Sequence, residues 1–258
     1  MGDSVAFDRA AEVYDATRAI SEEAMARTIE LLTGEVAGRG RVLEVGVGTG
    51  LLALRLHEAG LNLAGLDISA PMVSQLVQKA GGTVPFPLVI GDATGMPFAD
   101  ASFGGAYLRW VLHLVPDWRG LIAEVARVVR PGGEFLASLG TCGGPRQEIR
   151  ERFGELLGVS LDPVGLGWDD FASLDRAMAE LGTTARELPP IHEGSDESLG
   201  EYLVQIERGL WSWTWDLPEA DRLRAVAELR PWAEERFGPL DERRPFEYAT
   251  RWRAYDPA

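Results

Sequence analysis

With 258 residues, 46% of them hydrophobic, the chain is long enough for one large α/β domain with an embellishment rather than two independent domains. Its 40 acidic and 25 basic residues leave a net charge of −15, which argues against a nucleic-acid partner and against docking on an anionic membrane. The lone cysteine, Cys142, excludes an intrachain disulfide and a cysteine-based zinc cluster, and we expect no metal site. Neither a secretory leader nor a membrane-length apolar run is found, so we predict a cytoplasmic protein.

Two helices are predicted before the first strand, within an N-terminal cap of residues 1–37. One face of the first helix repeats at helical spacing through Phe7, Ala10, Ala11, Tyr14 and Arg18. The second helix is predicted to begin after Ser21, a residue type that caps helix N-termini well.

From residue 41 onward, apolar runs alternate with helical patterns, which is typical of βαβ units around a parallel sheet. Strands are predicted at 41–46, 61–67, 87–91, 103–108, 134–139, 183–191 and, as a last edge strand, 245–255. Helices are predicted at 51–59, 70–80, 117–130, 145–157 and 168–181, with two more inside an insertion at about 195–238. The second of these is predicted to begin with a capping box of Asp216 and Glu219. The fold class is therefore α/β, a doubly wound, mostly parallel seven-stranded sheet with N-terminal helices and a helical insertion before the last strand.

The glycine-rich segment RVLEVGVGTGLLALRL, residues 41–56, is a candidate ligand-binding loop. Gly46, Gly48 and Gly50 follow a predicted strand, and backbone without side chains can approach a ligand closely. The spacing is G-x-G-x-G, whereas the dinucleotide fingerprint needs a third glycine where Leu51 stands. A packing turn without any ligand is the alternative interpretation.

Two acidic residues follow the next two predicted strands. Asp67 ends the second strand, where doubly wound folds bind the ribose hydroxyls of a nucleoside, and Asp92 ends the third. For each aspartate alone, a helix N-cap or an Asx turn is the favoured interpretation. Together with the glycine loop they form three features at the same predicted sheet edge, which favours a nucleoside site.

The segments VLEVGVGTG, GLDIS, GDATGMPF and EVARVVRPGGEFL, in this order and at this spacing, resemble class I S-adenosylmethionine-dependent methyltransferases. The small-molecule group that includes quinone-biosynthesis methyltransferases is the most similar, and FDRAAEVYDATR is similar to its opening helix. The resemblance covers about residues 7–140. It implies a Rossmann-like sheet whose last strand is antiparallel, a cofactor-binding core at 38–141, and a C-terminal half at 142–258 that carries a substrate lid. S-adenosylmethionine is the implied cofactor and S-adenosylhomocysteine the product.

The resemblance also implies a set of cofactor contacts. The backbone of Gly46, Val47 and Gly48 is expected against the methionine part, with Glu44 near its amino group. Asp67 is expected to accept both ribose hydroxyls. The expected adenine contacts are Ile68, Met72, Asp92 and Ala93. Further contacts are expected from the strand end at Leu108 and Arg109, and from Tyr14 and Arg18, which close over the cofactor in the family. The alternative for the last pair is a surface arginine beside a core tyrosine.

The segment YLRWVLHLVPDWR, after the fourth strand, is where the family places cofactor and acceptor contacts. His113 is a candidate general base near neutral pH, and a satisfied core histidine is the alternative. It matches one histidine of the family's L-H-H pattern, but Leu114 replaces the second, and Gly104 replaces the usual aspartate of the F-D start. Arg109 is expected either to orient an anionic substrate or to be an exposed charge. Trp110 and Cys142 are predicted to line the acceptor cavity, with Cys142 an unreactive thiol.

Three tryptophans alternate in GLWSWTWDLP, inside the predicted insertion. Trp211 and Trp215 share a face if this stretch is helical. They are predicted either to form an aromatic wall for a flat or apolar acceptor, or to pin the insertion to the sheet.

The sequence therefore predicts an enzyme that transfers a methyl group from S-adenosylmethionine to a small organic acceptor by in-line displacement. Two other functions stay open. A non-catalytic cofactor-binding or regulatory module has the same glycine and aspartate set, and an NAD(P)-dependent oxidoreductase shares the fold but requires the missing third glycine. Nucleic acid is an unexpected acceptor, because LRWV stands where nucleobase methyltransferases carry an Asn/Asp-Pro-Pro-aromatic motif. The oligomeric state is left open.

Overall fold

The computed structural model describes residues 4–12, 14–17, 21–140 and 143–257, so the predictions for Arg18 and Cys142 lie outside the described residues. Two compact units are present. The first comprises Met1–Gly140, Val164–Ile191 and Ala249–Ala258, and the second comprises Thr141–Pro163 and His192–Tyr248. Each unit is therefore made from chain segments that are distant in sequence.

Strands and helices follow one another in nearly the predicted order. The strands are β1 (Val42–Val45), β2 (Leu63–Asp67), β3 (Leu88–Ile90), β4 (Phe103–Arg109), β5 (Val129–Ser138), β6 (Thr183–Glu187), β7 (Ile191–Ser198), β8 (Arg243–Thr250) and β9 (Trp252–Pro257). The helices are α1 (Tyr14–Thr17), α2 (Glu22–Val36), α3 (Ala53–Glu58), α4 (Ala70–Lys79), α5 (Trp118–Val128), α6 (Gly144–Leu157), α7 (Phe171–Glu180), α8 (Leu199–Glu207) and α9 (Glu219–Phe237). Short 3₁₀ turns lie at Asp8–Ala10, Leu112–Leu114 and Ser212–Thr214.

The first unit is organised by a seven-stranded sheet in the order β3-β2-β1-β4-β5-β9-β6. Strands β1 to β5 pair in parallel, and β9 is antiparallel to both of its neighbours. The predicted doubly wound sheet with an antiparallel last strand is confirmed. The chain winds outward from β1 to β3 and then returns to β4, so the topological switch point lies between β1 and β4, where such folds bind ligands.

Apolar side chains cover both faces of this sheet. Leu43, Val45 and Leu108 belong to one buried cluster, while Val42 and Tyr107 belong to the other. Neighbouring residues of a strand point to opposite faces, and a sheet covered on both faces needs nearly continuous apolar strands. This explains why β1, β2 and β4 read as apolar runs in the sequence.

The second unit has its own core. Helices α6, α8 and α9 enclose buried residues that include Ile149, Phe153, Leu203 and Leu229, and β7 pairs with β8 in a separate two-stranded sheet. Over the ranges that the structure describes, no helix has both the length and the apolar character that crossing a membrane requires.

Three local predictions are wrong. The predicted long first helix is interrupted into the 3₁₀ turn at Asp8–Ala10 and the single turn α1. The capping box predicted at Asp216 is absent from α9, whose N-cap is Pro218; a capping box occurs instead at Ser198 and Glu201 of α8. The predicted last edge strand is β8 followed by β9, and β9 lies inside the sheet because β6 covers its outer edge.

Candidate active site

Asp67 lies at the carboxyl end of β2 with both carboxylate oxygens held by main-chain donors. The Gly48 N–H donates to Oδ2 at 2.7 Å, and the Ser69 N–H donates to Oδ1 at 2.8 Å. Burial nevertheless raises the pKa of the Asp67 carboxyl above its ordinary value. The hydrogen bonds fix the orientation of the carboxylate, and each oxygen keeps a lone pair for a further donor such as a hydroxyl.

The glycine loop uses its N–H groups inside the protein. Those of Gly46 and Val47 donate to the Leu66 carbonyl at 2.8 and 3.0 Å, and that of Gly48 donates to Asp67. Gly46 has φ +77°, and a Cβ there would lie 2.5 Å from Cγ2 of Val111. The loop therefore provides close backbone approach rather than a cradle of N–H donors for phosphate.

Glu44 is buried in β1 next to a tyrosine of β4. Glu44 and Tyr107 are register partners, and the Tyr107 hydroxyl donates to Glu44 Oε2 at 2.7 Å. Burial raises the pKa of the Glu44 carboxyl to about 8, with a further contribution from the charge of Asp67. A positively charged ligand nearby would stabilise the charged forms of both carboxylates, so these two carboxyl groups favour the binding of a cation. Tyr107 was missed from the sequence, although a tyrosine inside an apolar strand requires a hydroxyl partner.

The segment before α2 crosses the loops at this edge of the sheet. The Val5 N–H donates to the Leu114 carbonyl at 3.0 Å, and the Ser69 hydroxyl donates to Asp8 at 2.6 Å. Asp15, in α1, accepts from the Thr49 hydroxyl at 2.6 Å and forms an ion pair with Lys79, the only lysine of the chain. Tyr14 packs edge-on against Phe7. The expectation that this segment closes over a cofactor with Tyr14 stays a prediction.

Replacing Lys79 by glutamine is expected to loosen this segment. The Lys79 ammonium also donates to the Thr49 carbonyl at 3.0 Å, so the change removes both the ion pair and a tie to the glycine loop. Because both partners are partly exposed, we expect a modest effect, about threefold faster cleavage of the first 20 residues by a protease. Arg27→Gln, which breaks an exposed pair with Glu23 in α2, is the matched control. Equal cleavage rates in wild type and both variants would contradict this role of Lys79.

The predicted adenine side lies at the ends of β2 and β3. Met72 is buried in the first turn of α4, and Ile68 is exposed, as is Ile90 on the neighbouring edge strand. Asp92 accepts from the Thr94 N–H and hydroxyl, each at 2.8 Å, so the Asx turn considered as the alternative is present. Ala93 is half-buried beside it. The Asx turn holds the Asp92 carboxylate without excluding a ligand, and adenine contacts of these residues stay a prediction.

The exit of β4 carries the predicted acceptor-side residues. Leu108 is fully buried, and the Arg109 guanidinium lies 3.6 Å from the ring centroid of Trp110. Trp110 has φ +59°, an outlying conformation for a bulky residue, and its main-chain N–H donates to the Ser138 carbonyl at 2.9 Å. Such strain concentrates at functional sites. His113 follows in the 3₁₀ turn, half-buried, with its ring centroid 4.3 Å from that of Trp168, a residue missed from the sequence.

The tryptophans of the second unit pack onto its own aromatic residues. Trp211 lies edge-on to Tyr202, and Trp213 lies edge-on to Phe153. The Trp215 indole N–H donates to the Gly209 carbonyl at 3.0 Å. These contacts explain how the segment is held; contacts of Trp211 and Trp215 with an acceptor stay a prediction.

Among the described residues, no group of three or more histidine, cysteine or acidic side chains is placed to hold a metal ion. The acceptor groups at this edge instead fit S-adenosylmethionine, because the Glu44 and Asp67 carboxyl groups suit hydroxyl and cationic partners, and the N–H groups of the glycine loop bond within the protein rather than cradle a phosphate. At the other end of β4, packing against the chain at Arg39 explains the departure at Gly104, where a Cβ would overlap the Arg39 carbonyl oxygen.

Comparison with known proteins agrees with this fit. A family model described as a methyltransferase domain matches residues 43–137. A demethylmenaquinone methyltransferase of Renibacterium salmoninarum is 34% identical over 51% of this chain and 56% of its own length, so the matching part spans about half of that relative. The O-methyltransferase rstn1 of Aspergillus nomiae is 33% identical over 60% of this chain and 70% of its own length.

The fold has a solved counterpart in the YcgJ protein from Bacillus subtilis. The two structures superpose with a TM-score of 0.62 at 21% identity, over 91% of this chain and 98% of that one. At that identity the likeness supports the fold alone, whereas the sequence relatives identify the family. The chain belongs to the class I S-adenosylmethionine-dependent methyltransferases.

Proposed function

We propose that this protein binds S-adenosylmethionine and transfers its methyl group to a small organic acceptor by in-line displacement. The observation that carries the proposal is the pair of carboxyl groups of the buried Glu44 and the half-buried Asp67, beside a glycine loop at the switch point. Both have raised pKa values because of burial, so a cationic nucleoside is the ligand that they favour.

Each residue at this edge then has a defined task. Asp67, oriented by the Gly48 and Ser69 N–H groups, accepts the ribose hydroxyls, and Glu44, oriented by Tyr107, accepts from the ammonium group. S-adenosylmethionine, when bound, supplies an electrophilic methyl group on a sulfonium. The chain has to align the acceptor with that group and exclude water, and we assign the exclusion of water to the segment at residues 4–12 and 14–17.

The methyl acceptor is expected to bind at the carboxyl end of β4. His113 receives the proton of an acceptor hydroxyl, and Arg109, held over Trp110, orients an anionic substituent. A small organic acceptor is supported by the names of the two relatives, a demethylmenaquinone methyltransferase and an O-methyltransferase. The net charge of −15 argues against nucleic acid as the acceptor. The exclusion of nucleic acid and the cytoplasmic location both stay predictions.

Calorimetric titration with S-adenosylmethionine, S-adenosylhomocysteine and NADH tests the cofactor part. We expect the first two to bind wild type and NADH not to bind. Asp67→Ala removes the ribose acceptor and two main-chain hydrogen bonds, and should weaken binding about 10- to 100-fold, the effect of a lost charge-assisted hydrogen bond.

Asp170→Ala is the matched control for this titration. Asp170 caps α7 by accepting from the Ser173 N–H at 3.1 Å, so its removal also costs a main-chain hydrogen bond, but away from Asp67 and the glycine loop. We expect it to bind both nucleosides as wild type does. Binding of NADH alone, or of neither nucleoside, would refute the proposal. Tight nucleoside binding with no turnover of any small acceptor would favour the non-catalytic module instead.

A further inference from the structure

The loop that precedes α7 returns to the exit of β4. The N–H groups of Gly165 and Leu166 donate to the carbonyls of His113 and Leu112, at 3.1 and 3.0 Å. Gly165 leaves no room for a side chain, because a Cβ there would overlap the Leu112 carbonyl oxygen. This backbone pairing fixes the distance between the loop and the 3₁₀ turn that carries His113.

Trp168 of the same loop places its indole against the His113 imidazole. The ring centroids are 4.3 Å apart with an angle of 37° between the planes. On another side the indole lies against Gly140, where a Cβ would be 2.7 Å from the ring. Any side chain at position 140 would displace the indole, so the glycine is needed for this placement.

The residue after Trp168 holds the loop in an uncommon conformation. Asp169 has φ +57°, its N–H donates to the Gly140 carbonyl at 3.1 Å, and its carboxylate forms an ion pair with Arg251 at 2.6 Å. Positive φ at a non-glycine residue persists where surrounding contacts impose it. The indole is therefore positioned by contacts on both sides of it rather than by its own packing alone.

We propose that Trp168 is a positioning and specificity-determining residue, which orients the His113 imidazole and selects planar aromatic acceptors that carry a hydroxyl group. The inference rests on the proposed function. An indole face favours a flat ring through offset stacking, and Trp110 supplies a second aromatic ring at the same strand exit. A phenolic hydroxyl with a pKa near 10 passes its proton to an imidazole far more readily than an aliphatic alcohol does, so a histidine base matches a phenol-like acceptor.

The experiment compares the binding of 1-naphthol and its saturated counterpart decahydro-1-naphthol, by calorimetry, with S-adenosylhomocysteine at saturation. We expect wild type to bind 1-naphthol at least tenfold more tightly. Trp168→Ala should remove that preference, and Trp168→Phe, which keeps a stacking ring, should restore most of it. With 1-naphthol as methyl acceptor, His113→Gln should lower kcat with little change in KM, whereas Trp168→Ala should change both.

Trp232→Ala is the control truncation, because Trp232 packs against Phe237 within the second unit. The S-adenosylhomocysteine affinity of each variant is measured first and should equal that of wild type. If wild type does not bind S-adenosylhomocysteine, the proposed function and this inference both fail. If wild type binds S-adenosylhomocysteine but does not prefer 1-naphthol, the inference alone is overturned. The same holds if Trp168→Ala keeps the preference for 1-naphthol, or if Trp232→Ala loses it.

Discussion

Replacing Glu44 by glutamine is expected to stabilise the folded protein at pH 8.5 while weakening its affinity for the cofactor. Burial raises the pKa of the Glu44 carboxyl to about 8 from its ordinary value of 4.5, so between pH 4.5 and pH 8 the folded state binds more protons than the unfolded state. Stability of wild type therefore falls as pH rises, by roughly 4 kcal/mol between pH 5 and pH 8.5. Glutamine has no charge to desolvate and keeps an oxygen that accepts from Tyr107.

Urea unfolding of wild type and Glu44→Gln at pH 5 and pH 8.5 measures this effect. We expect a difference in unfolding free energy that is small at pH 5 and several kcal/mol in favour of the variant at pH 8.5. Glu58→Gln, an exposed position at the end of α3, should follow wild type at both pH values. A pH-independent difference for Glu44→Gln would mean that the Glu44 carboxyl titrates normally.

Replacing Arg186 by methionine is expected to destabilise the first unit by roughly 2–4 kcal/mol, since it leaves a buried carboxylate short of a partner. Arg186, in β6, binds Glu134 of β5 at 2.8 Å, Glu35 of α2 at 2.6 Å and Asp256 of β9 at 3.4 Å. The Glu134 side chain is fully buried, and Arg39 at 2.9 Å is its other cationic partner. One guanidinium therefore bridges three carboxylates from three elements, and its loss leaves them to repel one another.

Thermal and urea unfolding test this prediction, with Arg119→Met as the control. Arg119 pairs with Glu180 at 3.4 Å where both side chains are largely exposed, so its loss should cost under about 0.5 kcal/mol. Adding Glu134→Gln to Arg186→Met should recover part of the lost stability, because the unpaired buried charge is then absent. If the two arginine variants unfold alike, the network does not stabilise the sheet.

The elements of the parallel sheet were largely predictable from sequence because their signals are local. Apolar runs at β1, β2 and β4 follow from burial on both faces, and the N-cap predicted at Ser21 is confirmed by its hydrogen bond from the Ala24 N–H. The position of β9 was not predictable in this way. Its alternating pattern indicated an edge strand, but the strand that finally covers it, β6, lies about 65 residues earlier in the chain.

The residues of the candidate site likewise fall into those that the sequence indicated and those that it did not. Glycine spacing and acidic residues at strand ends indicated Gly46, Gly48 and Asp67 without any structure, since a turn after a strand and a carboxylate at its end are local features. Glu44 was indicated only by the resemblance to the family. Tyr107 and Trp168 were missed. Tyr107 meets Glu44 only through the register of β1 against β4, and Trp168 meets His113 only through a loop that returns from 55 residues later in the sequence.

The sequence by itself determined the βαβ order and the side of the sheet that carries the chemistry, because these depend on periodicity, glycine placement and residue type over short stretches. The order and spacing of its motifs indicated the family by resemblance. Only the tertiary structure decided which side chains hold the catalytic candidates in place. Strand register, and the return of distant segments such as the loop around Trp168, arise from packing between residues far apart in the chain. No short stretch of sequence encodes a contact of that kind, because its free energy depends on both partners at once.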